Sequence, residues 1–441
     1  MNTRSPVLAA ALAATLLLSS CAGAGEVDDA ADADLDVAPG VTDDSVLIGT
    51  HQPLTGPAAP GYSQISAGAG AVFDYINDNG GIHGREIVYH VEDDAYDPTN
   101  TVEVTQDLVH REEIFAMVGG LGTPTHSKVV DFLNREGVPD LFVSSGALMW
   151  NQPDEYPLTY GYQVDYTREA KIQGEYIKEN FPDADVGYLH QADDVGSDSQ
   201  AGLDQYLKDQ VVTVEAYESG QDDIGAQVEA LDDAGAELVV CSCVPSYVAM
   251  MILEAQRIDF DPQFVVSSIG GDTITLSGLL EEFTKDTDAE GVPADALLDD
   301  LITTGYLPQV EQEEDPWIEL FTEIHGEYIE DVVFSNTTIY GMAQAAKFAQ
   351  VLEAAGQDLT RQTLIDALGE NEFSGPGLVP FSTADDDHAG FIGAYISRFQ
   401  TGEEPEILQE VRVTDNGDGP IEEFELDRPG PDEVAPFAGL D

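Results

Sequence analysis

Short apolar runs alternate along this chain with longer stretches whose apolar residues recur every third or fourth position. Ser45–Thr50 (SVLIGT) has the β-branched, apolar character of a strand, and Ser66–Asp78 carries Ala69, Val72, Phe73 and Ile76 on one helical face. Asn79-Gly80-Gly81 stops that helix, because glycine tolerates the left-handed backbone that ends one. Glu86–Glu92 predicts the next strand, and Asp97-Pro98 opens a helix with a capping carboxylate and a proline in its first turn. Phe115–Val118 is a strand running into Gly119-Gly120-Leu121-Gly122, followed by a helix over 125–136 and a strand at Asp140–Val143. The rhythm restarts after Asp165. Helices over 168–180, 198–210, 223–234 and 246–257 alternate with strands Val186–Leu189, Val211–Ala216, Leu238–Cys241 and Gln263–Ser267. This alternation predicts an α/β fold of two doubly wound parallel-sheet lobes, with ligands bound beyond the carboxyl ends of the strands. After 303 come a strand at Thr303–Leu307, helices near 315–330, 336–354 and 361–370, and a strand at Ala394–Phe399. From 402 onward, acids, proline and glycine predict a mostly irregular tail.

The N-terminus departs from this rhythm. A lone Arg4 precedes an apolar run from Pro6 to Leu18, shorter than the ~20 residues that a spanning helix needs. A positive start, a short apolar run and small residues make a secretory signal over 1–20. Its ending, Leu18-Ser19-Ser20-Cys21, looks like a lipobox, in which the signal is removed and Cys21 carries lipid. Residues 21–42 are rich in Ala, Gly and Asp and hold too little apolar surface to order themselves, so they read as a flexible acidic tether. About 420 residues then remain, enough for two lobes of ordinary size.

Charge narrows the function. Sixteen basic residues stand against 85 acidic ones, a net charge of −69. No basic patch exists to meet phosphates, which excludes nucleic acid, and docking on anionic lipid is equally disfavoured. The acids are scattered from 26 to 441 with no calcium-loop spacing, so they read as a solvated surface suited to high salt rather than as metal ligands. Cys241 and Cys243 lie two apart in an apolar run. In an extended strand their separation is about 7 Å, long for a disulfide, and buried free thiols are the expectation. None of the eight histidines has a paired metal spacing, and neither a G-x-S-x-G elbow nor a phosphate loop occurs. His51 follows the first strand and faces the cleft region; His126, in the first turn of a helix, reads as a surface residue. These patterns predict neither an enzyme nor a cofactor.

In order and spacing, several segments together resemble the type I periplasmic binding proteins of the branched-chain amino-acid (Leu/Ile/Val) class. They are QPLTGP at 52–57, NDNGGIHG at 77–84, Asp93-Asp94 with Asp97-Pro98, GLGTPT at 120–125, EGVP at 136–139 with FVSSG at 142–146, and DDVG at 193–196. The resemblance covers residues 43–400. It implies two lobes joined by three crossings: lobe one from 43–165 with 305–380, lobe two from 166–304 with 381–412, and an acidic C-terminal tail over 413–441. It also implies a monomer that closes on a small-molecule ligand and delivers it to an ABC permease. The same fold also serves as a sensor that signals through a separate membrane partner.

The family's carboxylate site maps onto Gly122 and Thr123, at the start of the helix over 125–136, where free N–H groups favour an anion. Its second contact loop maps onto the backbone of Ser144, Ser145, Gly146 and Ala147, and its aromatic lid onto Tyr62. Trp150, an exposed-loop aromatic, either lines the cleft or fills packing. Lobe two departs from the pattern. Val195 stands where an aromatic residue is common, and Ile269 where the amino-acid binders carry an acid for the ligand's ammonium. Asp272 either substitutes for that acid, as Asp193 or Asp194 would, or caps the following helix. Val244 and Pro245 add apolar wall.

Overall fold

The computed structural model describes residues 34–285 and 293–440. The expected signal and Cys21 lie outside the described residues. The described end of the expected tether, 34–42, is bound to the fold: Arg361 N donates to Val37 O at 3.0 Å and Gln362 N to Leu35 O at 2.9 Å.

Five parallel strands form the first sheet: β1 (Ser45–Gln52), β2 (Glu86–Asp93), β3 (Met117–Val118), β4 (Asp140–Val143) and β5 (Thr159–Gly161), in the order β2-β1-β3-β4-β5. The second sheet begins with β6 (Val186–Gln191), β7 (Val211–Tyr217), β8 (Leu238–Ser242), β9 (Gln263–Val266) and β10 (Ile302–Gly305), all parallel. A small hairpin follows, β11 (Phe381–Ala384) with β12 (Asp387–Phe391). Then β13 (Gly393–Arg398), β14 (Glu406–Val413) and β15 (Glu422–Glu423) extend the second sheet antiparallel from β10. The expected strands are present; the antiparallel extension by β14 and β15 lies beyond the expected pattern. β8 is buried throughout and β9 at Val265 and Val266, with core clusters on both faces of the sheet, as a doubly wound sheet requires.

The helices Ala59–Asp78 and Asn336–Ala355 pack together on the first sheet with Phe73 edge-on to Phe348. Their backbones meet at glycine: a Cβ on Gly341 would lie 1.9 Å from Ile65 O, and one on Gly68 2.4 Å from Thr338 O. Pro60 and Gly61 bend the first of these helices ahead of the predicted Ser66 start. The chain passes between the two sheet units after β5, after β10 and before β13. Tyr162, Tyr306 and Phe391 come one from each passage, and Phe391 meets Tyr162 edge-on at 5.3 Å and Tyr306 tilted at 5.1 Å between ring centroids.

One expectation fails in this framework. Cys241 and Cys243 are disulfide-bonded with Cα atoms 5.4 Å apart. β8 ends at Ser242, so Cys243 has left the extended conformation that would have held them apart. Beyond β14 the C-terminal segment is mostly irregular, as its composition predicts, and it packs against the core. Trp317 Nε1 donates to Pro429 O at 3.0 Å, Arg428 pairs with Asp315, and Val434 and Phe437 are buried beside Trp317. No helix among the described residues is long and apolar enough to cross a membrane.

Candidate functional site

The residues just past the strands converge. Leu121–Thr123 after β3, Ser144 after β4, Gln163 and Tyr166 after β5, Val195 after β6, Val244 after β8 and Ser268, Ile269, Gly271 and Asp272 after β9 all border one cavity between the two sheet units. Its volume is about 120 Å³, counted as space open to the centre of a water molecule. At roughly 10–15 Å³ per water on that measure, it admits a ligand on the order of ten non-hydrogen atoms.

Gly122 takes φ +104°, and a Cβ there would strike Thr125 and the Tyr96 ring, so glycine shapes this wall. Gly122, rather than Thr123, occupies the capping position of a four-residue helix, Thr123–His126; a second helix, Val130–Arg135, completes the single helix expected over 125–136. Thr123 Oγ1 lies 2.7 Å from Ser145 Oγ and 3.2 Å from the Tyr166 hydroxyl. Three amides of the expected second contact loop already have partners: Ser144 N donates to Gly120 O, Ser145 N to Val143 O and Ala147 N to Ser145 Oγ.

Eight of the sequence-derived residues line the cavity: Tyr62, Gly122, Thr123, Ser144, Val195, Val244, Ile269 and Asp272. Ser145, Gly146, Ala147, Trp150 and Pro245 do not. Ser145 stands behind Thr123, Gly146 abuts the Tyr166 ring, and Pro245 begins the helix Pro245–Arg257. Trp150 is buried against Val130, Val143 and Tyr166, because the turn Leu148–Trp150 folds it inward; it fills packing and is not exposed. Sequence reasoning missed five lining tyrosines (96, 166, 306, 340 and 395) and Gln163. Tyr96, Tyr166 and Tyr306 follow β2, β5 and β10, where the strand-end rule looks, although the expected strand Thr303–Leu307 had absorbed Tyr306 and β5 was not expected; Tyr340 and Tyr395 carry no such signal.

Asp272 caps the helix Thr273–Thr284 through Ile274 N and also borders the cavity, so both readings hold. Its Oδ2 accepts from Thr275 Oγ1 and, across the cleft, from Thr337 Oγ1, each at 2.7 Å. Asp193 caps the helix Asp194–Leu207 instead of reaching the cavity. Other bonds also cross: Tyr62 Oη donates to Ile269 O at 2.7 Å, Leu148 N to Asp198 Oδ2 at 2.9 Å and Ser246 Oγ to Pro57 O at 3.2 Å. The cleft is closed. Burial pushes the Tyr166 phenol up to about 12, so it stays protonated and can donate near neutral pH.

Beneath the Gly119–Thr123 loop runs a buried chain, Asp94–His51–His126–Asp140, with each link 2.8 Å. Neither histidine lines the cavity, and His126 is fully buried, which corrects the surface reading: Asp140 and His51 supply the partners that a buried imidazole needs. Burial holds His51 below the usual histidine range, although the Asp94 carboxylate opposes it.

A family model described as periplasmic binding protein matches residues 45–403. The chain is 24% identical over 242 residues to a leucine-, isoleucine-, valine-, threonine- and alanine-binding protein of Pseudomonas aeruginosa, covering 53% of this chain and 63% of that one. It is 23% identical over 350 residues to a Leu/Ile/Val-binding protein homologue of Brucella abortus, covering 76% and 88%. Among solved structures it is similar to a branched-chain amino-acid ABC transporter protein from Thermus thermophilus with bound valine (TM-score 0.73, 18% identity, 85% of this chain and 98% of that one). It is also similar to a fatty acid ABC transporter substrate-binding protein from Thermomonospora curvata (TM-score 0.72, 20% identity, 86% and 95%).

Proposed function

Because the chain belongs to the periplasmic binding protein family, a family of substrate-binding proteins and not of enzymes, we propose that it is the extracytoplasmic solute-binding component of an ABC importer. It captures a small polar organic ligand, an amino acid or a related amide or carboxylate, between lobe one (43–165 with 305–380) and lobe two (166–304 with 381–412). The observation that carries this reading is the cavity at the strand ends of both sheets, bridged by hydrogen bonds from Tyr62, Thr337 and Leu148. Ligand binds first to lobe one, at Gly122, Thr123 and Ser144. Lobe two then closes with Val195, Val244, Ile269 and Asp272 and excludes water. A lipid on Cys21 tethers the monomer to the membrane, where the closed form docks on its permease.

The test is a thermal-shift panel of amino acids, amides, carboxylates and polyols, followed by small-angle scattering on any hit. A ligand of the native state raises the melting temperature by mass action, and closure reduces the radius of gyration. Folded protein whose melting and dimensions respond to no compound would argue against solute capture.

A further inference from the structure

We propose that the ligand of this cavity carries a methylated ammonium group, held by tyrosine rings inside a wall of negative charge. The inference rests on the cavity being the solute site and goes further by naming the ligand's chemistry.

Six tyrosines border the cavity: 62, 96, 166, 306, 340 and 395. Four of their hydroxyls are engaged with the protein. Tyr62 donates to Ile269 O, Tyr395 to Leu307 O at 2.8 Å and Tyr340 to Gln163 Oε1 at 3.2 Å, while Tyr166 lies against Thr123. What these side chains offer a ligand is therefore mainly ring surface. An aromatic ring presents a negative face, and a cation surrounded by such rings in a desolvated site is strongly held.

The charges agree. Among the described residues, no lysine, arginine or histidine lines the cavity, and Asp272 does. Asp272 is 9% exposed and is hydrogen-bonded by Ile274 N, Thr275 and Thr337, with no basic partner among the described residues within ion-pair distance. Behind the wall stand Glu169, which accepts Ser268 N at 2.6 Å and the Thr304 hydroxyl, and Asp193, which accepts Val195 N and Gln191 Nε2. Among the described residues, neither has a lysine or arginine partner. Burial raises the pKa of both carboxyls, so each gains from a cation bound in the cavity. A ligand carrying only negative charge would meet this field with nothing to offset it.

A primary ammonium needs an acceptor for each of its three N–H groups. Four of the wall's acceptors already serve other donors, Asp272 Oδ2, Ile269 O, Leu307 O and Gln163 Oε1, which leaves mainly neutral hydroxyls such as Ser268 Oγ. Methyl groups on nitrogen need no acceptor and pack against rings. Beside Ser268 Oγ, which is also buried without a partner, the open amide donor of the wall is Gln163 Nε2. It suits an oxygen elsewhere on the same ligand, a hydroxyl or a carboxylate.

The experiment is calorimetric titration of the purified protein with choline, trimethylglycine, L-valine and 3,3-dimethylbutan-1-ol, the uncharged carbon isostere of choline. Choline or trimethylglycine should bind, at least tenfold tighter than the isostere. Tyr306→Phe should keep that affinity, and Tyr306→Leu should lose about tenfold. Asp272→Asn should weaken the cation and leave the isostere unchanged, with circular dichroism checking the fold of each variant. Equal binding of choline and its isostere would overturn the inference, as would failure of both methylated compounds. If valine then closes the protein, solute capture stands and only the ligand chemistry falls; the wild-type comparison needs no variant to fold.

Discussion

The carboxylate of Asp198 accepts the amide of Leu148 at 2.9 Å, joining the helix after β6 to the turn after β4 across the cleft. Burial raises this carboxyl to about 6; the Leu148 bond opposes the rise, and Asp194, Asp165 and Asp193 add to it. Against an unfolded value near 3.9, the folded protein holds an extra proton here between about pH 4 and 6. Stability from this site therefore falls as pH rises through that window, and the penalty is complete above about pH 6. Asp198→Asn keeps an acceptor for Leu148 and removes the charge. After discounting for partial exposure, it should stabilise the protein by on the order of 1 kcal/mol at pH 8 and by nothing at pH 4. Urea unfolding across pH checks this; a pH-independent difference between the two proteins would refute it.

Thr337 and Asp272 form the second latch, and its test concerns affinity. Thr337→Val preserves shape while removing the 2.7 Å bond to Oδ2. A hydrogen bond to a charged group is worth about 1.5–3 kcal/mol, so affinity for a closing ligand should fall about tenfold or more. Because the proposed mechanism makes this bond on closure, the melting temperature of the ligand-free protein should fall less than the affinity does. Calorimetry and a melting curve separate the two; equal affinity would mean that closure does not use this bond.

Lys347 poses a different problem, a cation inside the core of the first unit. Its ammonium donates to Phe373 O and lies 4.9 Å from the centre of the Phe381 ring, and burial lowers it to about 7. The folded state thus binds fewer protons than the unfolded chain between about pH 7 and 10.4, so this site's contribution to stability rises with pH in that window. Below it the full penalty applies. Lys347→Met removes the penalty and leaves one carbonyl without its donor. A net gain of about 2 kcal/mol is expected at pH 7, shrinking towards pH 10. A variant that melts lower than the parent at pH 7 would show that the hydrogen bond outweighs the desolvation.

These residues also mark how far the sequence could be read. The strands β1 to β10 stood out because apolar β-branched runs and capped helices are local signals; β5, only three residues long, did not. The pattern failed where partners are distant. His51 and His126 are 75 positions apart, so nothing local said that a polar helix start would be pulled inside. Tyr340 sits on a helix and Tyr395 on β13, and only closure of the fold brings them to the cavity that Thr123 and Tyr62 face. Composition misled at the end of the chain. EILQEVRV is acidic and weakly alternating, yet β13 offers it an edge, and register with that edge makes it β14.

The end of the chain also yields the sharpest stability test. Phe437 is 3% exposed and meets Trp317 edge-on, with centroids 5.4 Å apart, while Arg428 reaches Asp315 and the Pro376 carbonyl. The segment after β15 thus leaves the second sheet and closes over the core of the first unit, so it carries stability that an acidic tail would lack. Phe437→Ala removes a buried ring from a packed site and should cost about 3 kcal/mol. The chain has two tryptophans, and Trp150 lies buried elsewhere, so a red shift in emission would report Trp317 meeting water. Unchanged stability together with unchanged emission would mean that the segment rests on the surface without supporting it.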